Sequence, residues 1–208
     1  MSNDTFPSAY FITFTTYGSW VHADARGSVS RDQNQFGTPR IKPNAQIAKR
    51  MRNKLRDAQF ILNEERRKTV LSGIIEACDY YQWRLYAAHV RSNHVHILAR
   101  ALEKSKTVTT KMKSFATRFL KKYHPDIPDQ KFWTRGKSAR CIWNPDFLGL
   151  TMKYIIEQQG EKMAWYCNPV FFENEENQNP GSLVSFSRDA TFTPIAILKN
   201  VDINKHSS

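Results

Sequence analysis

The sequence predicts an α+β fold: an antiparallel sheet in βαββαβ order, with one further helix at its end. Three observations carry that expectation. Short β-branched and aromatic runs alternate with amphipathic helical stretches. Two of the runs, 82–90 and 94–100, are separated by only Arg91-Ser92-Asn93 and so predict a hairpin. A chain of 208 residues with 40% hydrophobic and 12% aromatic residues is long enough to bury a core without disulfide staples.

The elements follow in order. Residues 10–16, YFITFTT, predict a first strand. Residues 17–43 carry Gly18, Gly27, Gly37, Pro39 and Pro43 and predict a long loop. Residues 44–62 show Ile47, Met51, Leu55 and Ala58 at helical spacing, which predicts a basic helix. Asn63 before Glu64 and Glu65 marks a new helix start, because acids suit the first turn. Val70, Ile74 and Cys78 then recur every four residues, so 64–80 predicts an amphipathic helix. After the hairpin, 108–123 places Val108, Met112, Phe115, Phe119 and Leu120 on one face and basic residues around the other. Residues 138–143, SARCIW, predict a fourth strand, and Asp146 a cap for a final helix, 147–159, ended by Gly160. This is the ferredoxin-like order with an added C-terminal helix. That fold hosts many activities, so function has to be argued from a site.

Charge narrows the class. The chain carries 31 Lys and Arg against 19 Asp and Glu, a net +12. A field of that sign favours a polyanionic partner, nucleic acid first. Residues 104–140 hold eleven Lys and Arg against Asp126 and Asp129. Residues 170–208 hold five acids and three bases, which leaves about +14 on residues 1–169. The expected organisation is therefore a working domain, 1–169, and an acidic, polar tail, 170–208. No run of 18 apolar residues occurs, and the segment MSNDTFPSAYF lacks a basic stretch followed by an apolar one. Neither a membrane span nor a signal peptide is expected. Three widely spaced cysteines, Cys78, Cys141 and Cys167, suit reduced thiols in a cytoplasmic protein.

The sharpest chemical feature is His94-Val95-His96. Side chains alternate along a strand, so the two histidines share one side and Val95 takes the other. Two imidazoles one strand period apart can bind a single divalent ion. The second feature is Tyr154, in the last helix, with Gln158 one helical turn on. A tyrosine hydroxyl can act as a covalent nucleophile on a phosphodiester. A metal held by two histidines and an amide oxygen could polarise the phosphate. Each feature alone is short and common.

Together they resemble the single-tyrosine HUH (His-hydrophobic-His) family, closest to the REP-associated tyrosine transposases and their bacterial insertion-sequence relatives. Four stretches carry the resemblance: Thr15-Thr16-Tyr17-Gly18-Ser19-Trp20 with Asp24-Ala25-Arg26-Gly27; Val90-Arg91-Ser92-Asn93-His94-Val95-His96; Phe132-Trp133-Thr134-Arg135-Gly136; and the Tyr154 helix. The resemblance implies a metal-dependent endonuclease and strand transferase acting on single-stranded or hairpin-bearing (REP-like) DNA. Tyr154 would form a 5′-phosphotyrosine intermediate. His94 and His96 would ligate Mg²⁺ or Mn²⁺, with Gln158 as the amide ligand and Gln159 and Glu157 as alternatives. The implied setting is cytoplasmic and nucleoid-associated, with monomer and homodimer both open.

On this reading Lys111, Lys113, Arg118, Lys121, Lys122, Arg135, Lys137 and Arg140 would follow the DNA backbone. Trp133, and also Trp143, would stack on unpaired bases. The loop bearing Tyr17, Trp20, His22, Asp24 and Arg26 would recognise DNA or brace the site. Tyr166 is the reserve nucleophile, and His89, His124 and His206 have no partner pattern. The alternative function is a non-catalytic nucleic-acid-binding module derived from such a transposase.

Overall fold

A computed structural model describes residues 5–21, 23–25 and 42–168. The elements are β1 (Ala9–Thr15), α1 (Ala45–Asn53), α2 (Glu64–Tyr80), β2 (Arg84–Val90), β3 (His94–Arg100), α3 (Ser105–Tyr123), β4 (Ser138–Ile142), α4 (Phe147–Glu157) and β5 (Ala164–Cys167). The five strands form one antiparallel sheet in the order β4-β1-β3-β2-β5. β1, α2, β2, β3, α3 and β4 supply the expected βαββαβ unit. α4 is the added helix, and it carries Tyr154. No helix among the described residues is long and apolar enough to cross a membrane. The tail 170–208 and loop residues 26–41 lie outside the described residues.

Strand alternation divides the core into two layers. Tyr10, Ile12 and Phe14 of β1, with Val95, Ile97 and Ala99 of β3, pack against α2 and α3. Ala9 of β1, Ala87 of β2 and Leu98 of β3 pack instead against Leu148, Met152, Ile155 and Ile156 of α4. The sheet is therefore covered by two helices on one face and by α4 on the other. Burial of these side chains is what holds each helix in place.

Local chemistry explains the boundaries. α2 begins at Asn63, whose side chain accepts the Arg66 N–H, and Glu64 and Glu65 fill its first turn. Gly73 lies where α2 meets α3. A Cβ there would come 3.0 Å from Ala116 Cα, so glycine suits this close approach of the two helices.

Several expectations are corrected. The helix expected over 44–62 ends at Asn53. Residues 54–63 run as a non-helical strap whose Phe60 and Leu62 alternate into the core. The Phe60 N–H donates to the Tyr17 carbonyl and the Leu62 N–H to the Ser92 carbonyl, bonds that an extended chain can make and a helix cannot. Ile47 and Met51, the expected apolar stripe of α1, are exposed. Asp146 makes no side-chain cap bond, and α4 ends at Glu157 rather than 159. Gly160, at φ +78°, turns the chain into β5, an unexpected strand that pairs with β2.

Candidate active site

The site is built on β3. His94 lies opposite Thr15 of β1, and His96 lies between Thr13 of β1 and His89 of β2. Both histidines share the face covered by α4, while Val95 is fully buried on the other. Their ring centroids are 4.7 Å apart. His94 Nδ1 donates to Asn93 Oδ1 at 2.6 Å, which fixes the orientation of the ring on β3. His96 Nδ1 hydrogen-bonds Thr13 Oγ1 at 2.8 Å. Burial, followed by the neighbouring His94, pushes the His96 imidazole down to about 3, although the nearby Gln159 side chain pulls the other way. His96 is thus neutral at ordinary pH, the form in which imidazole ligates metal.

His89 sits in the same row but is fully buried. Its Nδ1 donates to the Ile155 carbonyl at 2.9 Å, and its Nε2 accepts the Met163 N–H at 3.1 Å. Both nitrogens are engaged, so His89 is a brace between β2 and the end of α4 rather than a third imidazole ligand. His124 bridges α3 to Thr69 of α2 through Nε2 at 2.8 Å. His206 lies outside the described residues.

α4 delivers Tyr154 to this face. Leu148, Met152, Ile155 and Ile156 anchor the helix, and Tyr154, 41% exposed, projects at the edge of that contact. Its ring lies 5.8 Å from Phe11, edge-on, and 6.4 Å from His96. Phe11 also lies 5.7 Å from His96. Phe11 is the residue that sequence reasoning missed. Alternation along β1 was a signal for its face, but only the β1–β3 register places it beside His96.

The two glutamines separate. Gln158 is exposed at the end of α4, where its backbone N–H bonds the Tyr154 carbonyl. Gln159 is half-buried, donates from Nε2 to the Tyr154 carbonyl at 3.4 Å, and lies near enough to His96 to influence its imidazole. The i,i+4 argument for Gln158 assumes a helix that continues to 159, and this helix stops at 157. Glu157 is exposed. Among the described residues no group of three or more His, Cys, Asp or Glu side chains could hold a metal. The donors that converge are two imidazoles and one amide.

The basic residues are scattered. α3 lies on the sheet face away from Tyr154. Lys113 Nζ donates to the carbonyls of Thr134 and Gly136, and burial pushes its amine down to about 8. Lys111 pairs with Glu103 at 2.8 Å and lies 3.9 Å from the Tyr81 ring centre. Lys121 pairs with Asp129, and Lys137 donates to Ser105 Oγ. Arg118 lies over Phe115, and Lys122 over Tyr123. Trp133 packs edge-on to Phe14 and donates its indole N–H to Thr117 Oγ1, whereas Trp143 is 59% exposed. Arg135 is exposed. Arg140 is the one of this set seated on a strand, opposite Phe11 and hence on the histidine face.

Tyr166 pairs with Ala88 and packs into the other layer, away from the histidines, where burial raises its phenol. In the 17–25 region, the Tyr17 hydroxyl accepts the Arg56 N–H, and Asp24 pairs with Arg52 at 3.1 Å. These bonds brace the 54–63 strap and the end of α1. His22 and Arg26 lie outside the described residues.

Comparison with known proteins follows the geometry. A family model described as "Transposase IS200 like" matches residues 45–158, more than half of the chain. Among solved structures, the chain is similar to a REP-associated tyrosine transposase bound to a REP hairpin, at 12% identity and a TM-score of 0.38. That alignment covers 72% of this chain and 65% of the other, so it spans just under two thirds of that protein. No curated protein matches the chain.

Proposed function

The chain belongs to the IS200-like transposase family, and from that premise we propose that it is a metal-dependent single-strand DNA endonuclease and strand transferase with Tyr154 as nucleophile. The observation that supports this most is that Tyr154, His94, His96 and Gln159 meet on one sheet face around Phe11.

The chemistry assigned is a transesterification. Tyr154 Oη attacks the scissile phosphorus, and the bond from phosphorus to the 3′-oxygen breaks. The phenol proton is lost to solvent, and the departing 3′-oxygen takes one up. The products are a 5′-phosphotyrosine and a free 3′-hydroxyl. Attack by a 3′-hydroxyl on that link reverses the bonding and rejoins strands, so bond energy is conserved without an external source. The DNA proposed is a single strand bearing a REP-like hairpin. This rests on the four motif stretches and on the net charge of +12.

The donor set fits a divalent cation. The His94 ring is oriented by its Nδ1 bond to Asn93 Oδ1, His96 stays neutral, and the Gln159 side chain lies near His96. We place the amide ligand at Gln159 rather than Gln158 on that proximity. These three side chains would hold such an ion, and imidazole suits Mn²⁺ better than Mg²⁺. Such an ion, when bound, polarises the phosphate toward attack.

The test is a denaturing gel of protein mixed with labelled hairpin-bearing DNA from its own genomic flanks, with Mn²⁺ or EDTA. A metal-dependent shifted band that is absent in Tyr154→Phe supports the proposal. Equal cleavage by Tyr154→Phe rejects it.

A further inference from the structure

We propose that Arg140 is the group that grips the phosphate under attack, its guanidinium facing the histidine pair across Phe11. The inference rests on the transesterase reading above and adds a residue to it.

Three placements carry it. Arg140 is paired with Phe11 across β4 and β1, so the two side chains share one sheet face. Phe11 lies 5.7 Å from His96, and the Tyr154 ring meets Phe11 edge-on at 5.8 Å. Phe11 therefore has the histidines toward one flank and Arg140 on the other, with the proposed nucleophile against its ring. Arg140 is also exposed and pairs with no carboxylate among the described residues. Its charge is available to an anion, unlike that of Lys111 or Lys121, which already have acidic partners.

The chemistry suits arginine. A guanidinium offers a planar fork of N–H donors that matches two phosphate oxygens, and it stays charged at any working pH. As Tyr154 Oη bonds to phosphorus and the 3′-oxygen departs, negative charge builds on the non-bridging oxygens. A fixed cation there stabilises the transition state more than the bound ground state. Arg140 has a plainer use as well: β4 is an edge strand, and a charged residue deters pairing between edges. That use needs charge alone and predicts a change in aggregation, with no change in the rate of chemistry.

The experiment is single-turnover formation of the protein–DNA adduct in Mn²⁺ at saturating hairpin oligonucleotide, with affinity measured separately by fluorescence anisotropy in EDTA. Arg140→Ala is expected to slow adduct formation at saturation by about 100-fold, in the range of losing one transition-state donor. Its affinity falls less than tenfold. Arg140→Lys recovers part of the rate, and millimolar guanidinium recovers part of it in Arg140→Ala. Lys106→Ala, an equal loss of charge at the start of α3 on the far face, keeps the wild-type rate. An Arg140→Ala protein that is folded and reacts within about threefold of wild type overturns the inference while leaving the proposed function standing. Wild-type protein that binds DNA and forms no adduct overturns both.

Discussion

The rings of His96 and Tyr154 lie 6.4 Å apart, and the side chain of Phe11 contacts both. Among the described residues the Tyr154 hydroxyl has no hydrogen-bond partner. The helix is thus held by its apolar face while the hydroxyl is left to solvent or substrate. Phe11 sets the spacing. Phe11→Ala is expected to slow adduct formation more than tenfold while costing about 2 kcal/mol, less than a fully buried phenylalanine because Phe11 is only half-buried. Chemical denaturation and single-turnover assays on the same variant check both halves. An unchanged rate would remove Phe11 from the site.

The glutamines give a second, sharper discrimination. Gln159→Ala is expected to weaken Mn²⁺ binding at least tenfold, on the scale seen when metal-site support is lost. Gln158→Ala leaves it within twofold. Electron paramagnetic resonance of free Mn²⁺ in a titration measures this without any DNA. The reverse ranking would return the amide role to Gln158.

Acid should destabilise the metal-free protein in a defined window. His89 and His96 are both held below the ordinary imidazole value of 6.5 by burial, His96 to about 3. Below pH 6.5 the unfolded chain takes up protons that the folded chain refuses. Stability is therefore full above that value and falls as pH drops toward 3. The slope is up to about 1.4 kcal/mol per pH unit for each proton. Asp57, Glu64 and Asp129 are lowered from values below 5, so the interval from 6.5 to 5 belongs to the histidines. Urea midpoints that stay level between pH 7 and pH 5 would contradict this.

Gly73→Ala tests the helix layer. Alanine favours a helix by about 1 kcal/mol over glycine. Here its Cβ would meet Ala116 Cα at 3.0 Å and the Phe115 carbonyl at 3.2 Å, both backbone. Overpacking of that kind costs about 1–3 kcal/mol. A net loss of about 1 kcal/mol is expected in thermal or urea unfolding, and a gain would mean that α2 and α3 can separate without cost.

Much of this site was legible because its signals are local. The two-residue period of a strand is enough to put His94 and His96 on one face, and Asn63-Glu64-Glu65 is enough to start α2 where it starts. What was not legible depends on distant partners. Phe60 and Leu62 look like the end of a helix until their N–H groups are traced to Tyr17 and Ser92. β5 is four residues long, and β2 is its pairing partner. The bonds of Lys113 to the Thr134 and Gly136 carbonyls and of Trp133 to Thr117 likewise join residues far apart in the chain. The choice between Gln158 and Gln159 turns on where one helix loses its last turn.

The most direct measurement is mass spectrometry of the protein after reaction with hairpin-bearing DNA, Mn²⁺ and nuclease trimming. The account predicts a nucleotide phosphate linked to the peptide spanning Tyr154, on its side chain. A linkage on Tyr166 or another residue, or cleaved DNA with no modified peptide, would contradict it.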